Sequence, residues 1–154
     1  MQGRENLEQT ALFAFENVAR KHGFTVFKGQ GSDNRLLLGG NLYFQFGDLR
    51  VDTDTHHIVV EAESAGGVTN LAKYWYCLAD RTLSKSIVKP ITLLHLFRQV
   101  SASDYCSHLA LWDFLLNEMR KTVGDQIQAT RYPYRDLSDL EPAIRHFEKS
   151  ILLC

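Results

Sequence analysis

Three acidic residues in the first half of the sequence have the types and spacing to hold a cation. Asp48 and Glu61 lie thirteen positions apart, with the polar turn Asp52-Thr53-Asp54-Thr55-His56-His57 between them, and Glu63 follows one residue after Ala62. Ile58, Val59 and Val60 lead into Glu61-Ala62-Glu63, so the stretch reads as a β-hairpin. Side chains on a strand alternate between faces, which puts Glu61 and Glu63 on one side and Ile58, Val60 and Ala62 on the other. Acids gathered at the end of an apolar strand are costly to place together unless something positive sits between them. A divalent cation answers that need. Mg²⁺ takes hard oxygen ligands and keeps some water, which suits Asp48, Glu61 and the carbonyl of Ala62, with Mn²⁺ as the other candidate. Glu63 is expected to be a further ligand or a general base. Glu8, on the first helix, is the candidate for a fourth acid, and Glu5 is its alternative.

Other polar groups have plainer readings. The acids themselves could be solvated residues on an edge hairpin. His56 and His57, with Asp52 and Asp54, have the ligand types of a zinc site, but adjacent histidines in a polar turn are more readily solvent-facing. His95 in an apolar strand and His108 on a helix read as packed or surface histidines. Tyr74-Trp75-Tyr76 could stack on bases, although helical spacing makes Trp75 a core residue. Lys85, Lys89, Arg98 and Arg81 would suit a phosphate-facing patch or a scattered solvated surface. The sequence has no Gly-rich phosphate loop and no pattern marking a nucleophilic Ser or Cys triad.

The elements that must position these residues follow from periodicity. Leu7, Ala11, Ala14, Phe15 and Val18 predict a helix over 6–22, ended by Gly23. Phe24–Phe27 and Leu36–Leu38 read as short strands, the second broken by Gly39-Gly40. Asn41–Val51 reads as one strand and His57–Ser64 as the second arm of the hairpin. Ala65-Gly66-Gly67 is a turn, and Thr69 or Asn70 a candidate N-cap for a helix to about Asp80. Ile91–Phe97 is apolar enough for a central parallel strand buried on both faces. Ser103 or Asp104 is expected to cap a long amphipathic helix ending at Gly124, followed by a strand over 126–132. Ser138 or Asp139 should start the last helix. An antiparallel hairpin followed by βα units predicts an α/β (α+β) mixed sheet with helices on both faces, in the order α-β-β-β-α-β followed by α-β-α.

A chain of 154 residues is about one domain's worth, and no repeat or linker divides residues 1–154. With 45% hydrophobic and 23% charged residues it has the composition of a globular protein. There is no apolar run long enough for a membrane span and no signal-peptide pattern, so a cytoplasmic location is expected. Cys77, Cys106 and Cys154 are an odd number without a CxxC pair, which reads as reduced thiols. The formal net charge of −1 excludes a broadly basic nucleic-acid binder while leaving room for a local basic face.

Gly47-Asp48 followed at this distance by Glu61-Ala62-Glu63, inside an α-β-β-β-α order, resembles the PD-(D/E)xK nuclease superfamily with its restriction-endonuclease-like fold. There the motif is Pro-Asp, a spacer and Glu-x-Lys on the neighbouring strand. Lys21-His22-Gly23-Phe24, a helix end entering a strand, is similar to the opening of archaeal Holliday-junction resolvases. The resemblance covers about the first half of the chain. Gly47 replaces the proline, and Glu63 replaces the lysine that orients or activates the attacking water. Some restriction enzymes of the superfamily carry glutamate at that position. In other members the lysine has moved to the following helix, which makes Lys73 its counterpart. The resemblance implies hydrolysis of phosphodiester bonds in DNA, with Asp48, Glu61, Glu63 and Lys73 catalytic and Mg²⁺ or Mn²⁺ as cofactor. It also implies a homodimer, so that each strand meets one site. The alternative is a non-catalytic nuclease-fold protein acting as a binding or assembly module.

Overall fold

The structure, a computed structural model, describes residues 2–63, 68–100 and 106–153, and among these the side chains of all but residues 2–6 and 68. Helix α1 (Gln2–Lys21) leads to β1 (Phe27–Lys28), then to a ribbon of β2 (Arg35–Gly39) and β3 (Leu42–Gln45). A second hairpin follows, β4 (Leu49–Asp52) and β5 (His57–Glu63). Helix α2 (Val68–Ala79) precedes β6 (Ile91–Arg98), helix α3 (Cys106–Val123) precedes β7 (Ile127–Tyr134), and α4 (Glu141–Leu153) comes last. Among the described residues five strands form one sheet in the order β1-β4-β5-β6-β7, while β2 and β3 form a separate two-stranded ribbon. β4 runs antiparallel to β1 and β5, and β5, β6 and β7 run parallel. The architecture is therefore mixed α/β, as expected from an antiparallel hairpin followed by βα units. No helix among the described residues is long and apolar enough to cross a membrane.

Alternation along the strands divides the core into two layers. Val59, Leu93 and Phe97 face Leu71 and Tyr74 of α2 and Trp112 of α3. Ile58, Val60, Leu94 and Leu96 point the other way, against Phe15 and Ala19 of α1 and Phe147 of α4. Burying each such Leu, Ile or Phe stabilises the fold by roughly 1.5–3 kcal/mol, so both helical layers are held to the sheet chiefly by apolar area. β6 is buried over its first seven residues, as a central strand with helices on both sides must be.

The local signals held at some ends and moved at others. Gly23 stops α1 with φ +82°, while Phe24 N–H donates to Ala19 O at 3.0 Å and Gly23 N–H to Arg20 O at 3.0 Å, a Schellman closure. The chain spent on that closure leaves only Phe27–Lys28 for the strand expected over 24–27. The strand expected over 41–51 is two strands. Gly47, at φ +82°, turns the chain out of the β2–β3 ribbon and into the main sheet. Helix α2 already begins at Val68, so Thr69 and Asn70 lie inside its first turn instead of capping it. The last helix is preceded by a 3₁₀ turn, Leu137–Leu140, whose N-cap is Asp136 in a reciprocal capping box with Asp139. Ser138 and Asp139 are thus residues of that turn, and α4 starts only at Glu141. The turn expected at Ala65-Gly66-Gly67 and the caps expected at Ser103 or Asp104 lie outside the described residues.

A side chain at position 47 has no room. A Cβ there would sit 2.4 Å from Val59 Cγ1 and 3.1 Å from Leu49 O, and Val59 is fully buried and cannot step aside. Gly124 has a similar left-handed backbone, φ +57°, with nothing within 4 Å of the same point. Urea unfolding should therefore show Gly124→Ala losing about 1–2 kcal/mol from backbone strain alone. Gly47→Ala should lose roughly 2–4 kcal/mol, because overpacking adds to the same strain.

Candidate active site

The hairpin register brings the two ends of the acidic motif together. β4 and β5 pair Leu49 with Val60, which leaves Asp48, one residue before β4, beside the end of β5. Asp48 N–H donates to Val60 O at 3.0 Å. Its carboxylate is fixed at both oxygens: Oδ2 accepts from Ala62 N–H at 2.8 Å and Oδ1 from Gln45 Nε2 at 3.0 Å. Glu61 and Glu63 share the strand face of Val59, the face covered by α2 and α3. From α2, Lys73 Nζ donates to Glu61 Oε1 at 2.7 Å, to Gln45 O at 2.9 Å and to Asn70 Oδ1 at 3.2 Å. Tyr74 O–H donates to the same Glu61 Oε1 at 2.6 Å, and Asn70 Nδ2 donates to Glu63 Oε1. Asp48, Glu61, Glu63, Asn70 and Lys73 line one cavity of about 330 Å³, with Phe44 of the ribbon on its wall.

Burial sets the protonation of these groups. Glu61 is only 2% exposed; burial raises its pKa, the Lys73 ammonium opposes that rise, and the Asp48 charge adds to it. Glu63 is pushed up to about 7 by burial and by Asp48, with Lys73 as the smaller opposing influence. A carboxyl that titrates near neutrality can both take and return a proton at working pH. Beneath the acids, His95 of β6 pairs in register with Glu61. The ring is fully buried and burial lowers it to about 4, so it is neutral. Trp112 Nε1–H of α3 donates to its Nδ1 at 2.9 Å.

The donor set fits a hard divalent cation: oxygen only, carboxylate-rich and gathered on one cavity. It is not a ready three-carboxylate cage. Among the described residues no three His, Cys, Asp or Glu side chains cluster as an ion-binding group, and the positive charge lodged on Glu61 is Lys73. An incoming cation would compete with that ammonium for Glu61.

The remaining expected residues lie elsewhere. Glu8 does not line the cavity; it acts on Tyr134 at the end of β7, because α1 packs on the opposite face of the sheet. Glu16, also on α1, shares a cavity of about 340 Å³ with Asp48 and Lys28. Burial raises its carboxyl, but bonds from Lys28 and Arg20 outweigh that and hold it low. The Glu5 side chain lies outside those described. Asp52 and His57 bond each other at 2.6 Å, with Arg50 Nε 3.1 Å from Asp52, at the far end of β5 from Glu63. His56 Nδ1 lies 2.8 Å from the Thr55 hydroxyl. Lys89 donates to Thr53 O at 2.6 Å just ahead of β6, whereas Arg98 ends that strand. At about 3.3 Å per residue the length of the strand separates the two, so they do not form one patch. Tyr74, not Trp75, is the fully buried aromatic of α2.

Gln45, Asn70, Tyr74, His95 and Trp112 join the site without having been expected there. Asn70, Lys73 and Tyr74 follow the i, i+3, i+4 spacing of one helix face, which was a readable signal once the helix was placed. Gln45, His95 and Trp112 had none. Compared with family models, curated proteins and solved structures, the chain matches none. The chemistry must be read from this geometry.

Lys73→Met would strand the Glu61 carboxylate in the core, so thermal or urea unfolding at pH 8 should show a loss of about 3–5 kcal/mol. The loss should shrink as the pH is lowered, because burial already raises the Glu61 carboxyl and a protonated Glu61 needs no cation beside it. Glu63 has a folded pKa of about 7 against an ordinary 4.5. The folded state therefore holds its proton more tightly, and stability present below pH 4.5 is lost as pH rises through 7. Glu63→Gln removes that loss: its melting temperature should exceed the wild type's by a few degrees at pH 8 and match it near pH 4.5.

Proposed function

We propose that the chain is a metal-dependent nuclease that hydrolyses phosphodiester bonds in DNA, built on a restriction-endonuclease-like core. The element order supports this. With the β2–β3 ribbon counted as an insertion, α1, β1, β4, β5, α2 and β6 run α-β-β-β-α-β, and α3, β7 and α4 follow. The observation that carries the reading is the Lys73 ammonium, 2.7 Å from Glu61 Oε1 in the cavity shared with Asp48 and Glu63. A lysine supplied from the helix after the motif stands in for the one that Glu63 displaces.

Asp48, Glu61 and the Ala62 carbonyl are the groups that would hold Mg²⁺ or Mn²⁺. When bound, the metal supplies charge relief on the phosphate and a lowered pKa for water. Gln45 and the Ala62 N–H fix both oxygens of Asp48, so that ligand is oriented before any ion arrives. Lys73 brings a positive charge to the cavity wall, placed to meet a non-bridging phosphate oxygen. Glu63, near pKa 7, takes the proton from the attacking water and returns it to solvent or to the leaving oxygen. A homodimer would present one such site to each DNA strand.

A second reading has one observation in its favour. Glu61 is already compensated by Lys73 and Tyr74, as it would be in a non-catalytic binding or assembly module on the same scaffold. Metal separates the two. Mn²⁺ at a hundredfold excess over its Kd should stabilise the wild type by about 2.7 kcal/mol in a melting experiment and leave Asp48→Ala unmoved. The wild type should nick supercoiled plasmid with Mg²⁺ or Mn²⁺, and Glu61→Ala should be slower by at least about a hundredfold, the usual cost of losing an electrostatic stabiliser. A wild-type melt indifferent to Mn²⁺, with no nicking, favours the binding module.

A further inference from the structure

We propose that His95 is a positioning residue for the Glu63 carboxylate, set in its donor tautomer by Trp112. The indole N–H of Trp112 can only donate, and it points at His95 Nδ1 from 2.9 Å. Nδ1 is therefore the acceptor, and the neutral ring carries its hydrogen on Nε2. Among the described residues that Nε2 has no hydrogen-bond partner, although the ring is fully buried. It lies 3.7 Å from Glu63 Oε1, just beyond bonding reach. The Phe97 ring, 4.3 Å away between centroids, leans on the imidazole and helps hold its plane.

A buried N–H without a partner bears the cost of its lost hydration uncompensated. Ile91, Leu93 and Phe97 occupy the same face of β6 as His95, so an apolar side chain there would avoid that cost. The donor is instead aimed at the one acid of the site whose role needs its oxygens distinguished. Asn70 already holds Glu63 Oε1 from the α2 side. A small turn of the Glu63 carboxylate closes the gap to Nε2–H and makes a charge-assisted bond, which leaves the other oxygen facing the cavity. The contact stands on geometry alone; its value to catalysis rests on the hydrolytic reading above.

Long-range ¹H–¹⁵N spectra of the full chain test the contact without any turnover. His95 should show a protonated Nε2 and a bare Nδ1, and the Nε2 proton resonance should move in Glu63→Gln. Trp112→Phe should release the lock and give a mixture of tautomers. The opposite tautomer in the wild type, or a resonance indifferent to Glu63→Gln, overturns the proposal. Plasmid nicking with Mn²⁺ then tests the consequence. His95→Phe should lower kcat about ten- to hundredfold with KM unchanged, the usual range for loss of an outer partner. His95→Gln, which keeps a donor, should recover part of that loss. A change in KM alone, or no recovery by glutamine, overturns the positioning role. If the resonance responds but the wild type cuts nothing, the contact survives and the nuclease reading fails. If the wild type cuts and the resonance does not respond, the reverse holds.

Discussion

A carboxylate at the end of a buried strand needs a cation, and the ion pair of Glu61 with Lys73 is the constraint on which the rest of this site depends. Both side chains are less than a tenth exposed. Such a pair roughly breaks even against apolar residues of the same volume, whereas one partner alone is strongly destabilising. The two must therefore be present together, and the pair holds three segments in register. Glu61 belongs to β5, Lys73 to α2, and the Gln45 carbonyl that shares the ammonium to the end of β3. Gln45 then reaches Asp48 through its side chain. One ammonium thus links both arms of the acidic motif to the helix that covers them.

The sheet explains why this polar knot sits where it does. Its antiparallel half brings Asp48 back beside the end of β5, and its parallel half places His95 under Glu61 in register. Helix α2 lies over the face on which both glutamates project, so their oxygens meet Asn70, Lys73 and Tyr74 instead of bulk water. Burial raises both glutamates, but only Glu61 has the ammonium bonded to it. Glu63 has the amide of Asn70 and titrates near neutrality. Two carboxyls two residues apart are given different partners by their neighbours, an ammonium and a tyrosine hydroxyl for Glu61 and an amide for Glu63.

Beneath the acids His95 accepts from Trp112, so α3 fixes a ring that faces the site although none of its residues lines the cavity. The apolar layer around them, Leu93, Phe97 and Leu109 among others, fixes the ring positions by packing. That is how a core residue can orient a group at the surface: its own rotamer is locked, and the direction of its one free donor is locked with it.

Much of the architecture was legible from short-range pattern. The α1 stop at Gly23, the buried run Ile91–Phe97 of β6, the hairpin around the polar turn and the α/β order follow from glycine conformation, strand alternation and helical period, which act over a few residues. The three acids could be named from type and spacing, whereas Lys73 was named only by what the family resemblance implies. Pattern failed where distant contacts decided. The split of 41–51 at Gly47 depends on Val59 occupying the space of a missing Cβ. Glu8 and Glu16 look alike along the helix, yet Glu16 shares a cavity with Asp48 while Glu8 acts on Tyr134, because the packing of α1 on the sheet sets which turn faces the hairpin. His95 is indistinguishable in sequence from a packed histidine until parallel register puts it under Glu61 and α3 puts Trp112 on its Nδ1. The sequence alone determined which groups could do chemistry, since that depends on side-chain type. Tertiary structure decided which of them meet, since a hydrogen bond is made or lost within about half an ångström and no periodicity along the chain reports distance at that scale.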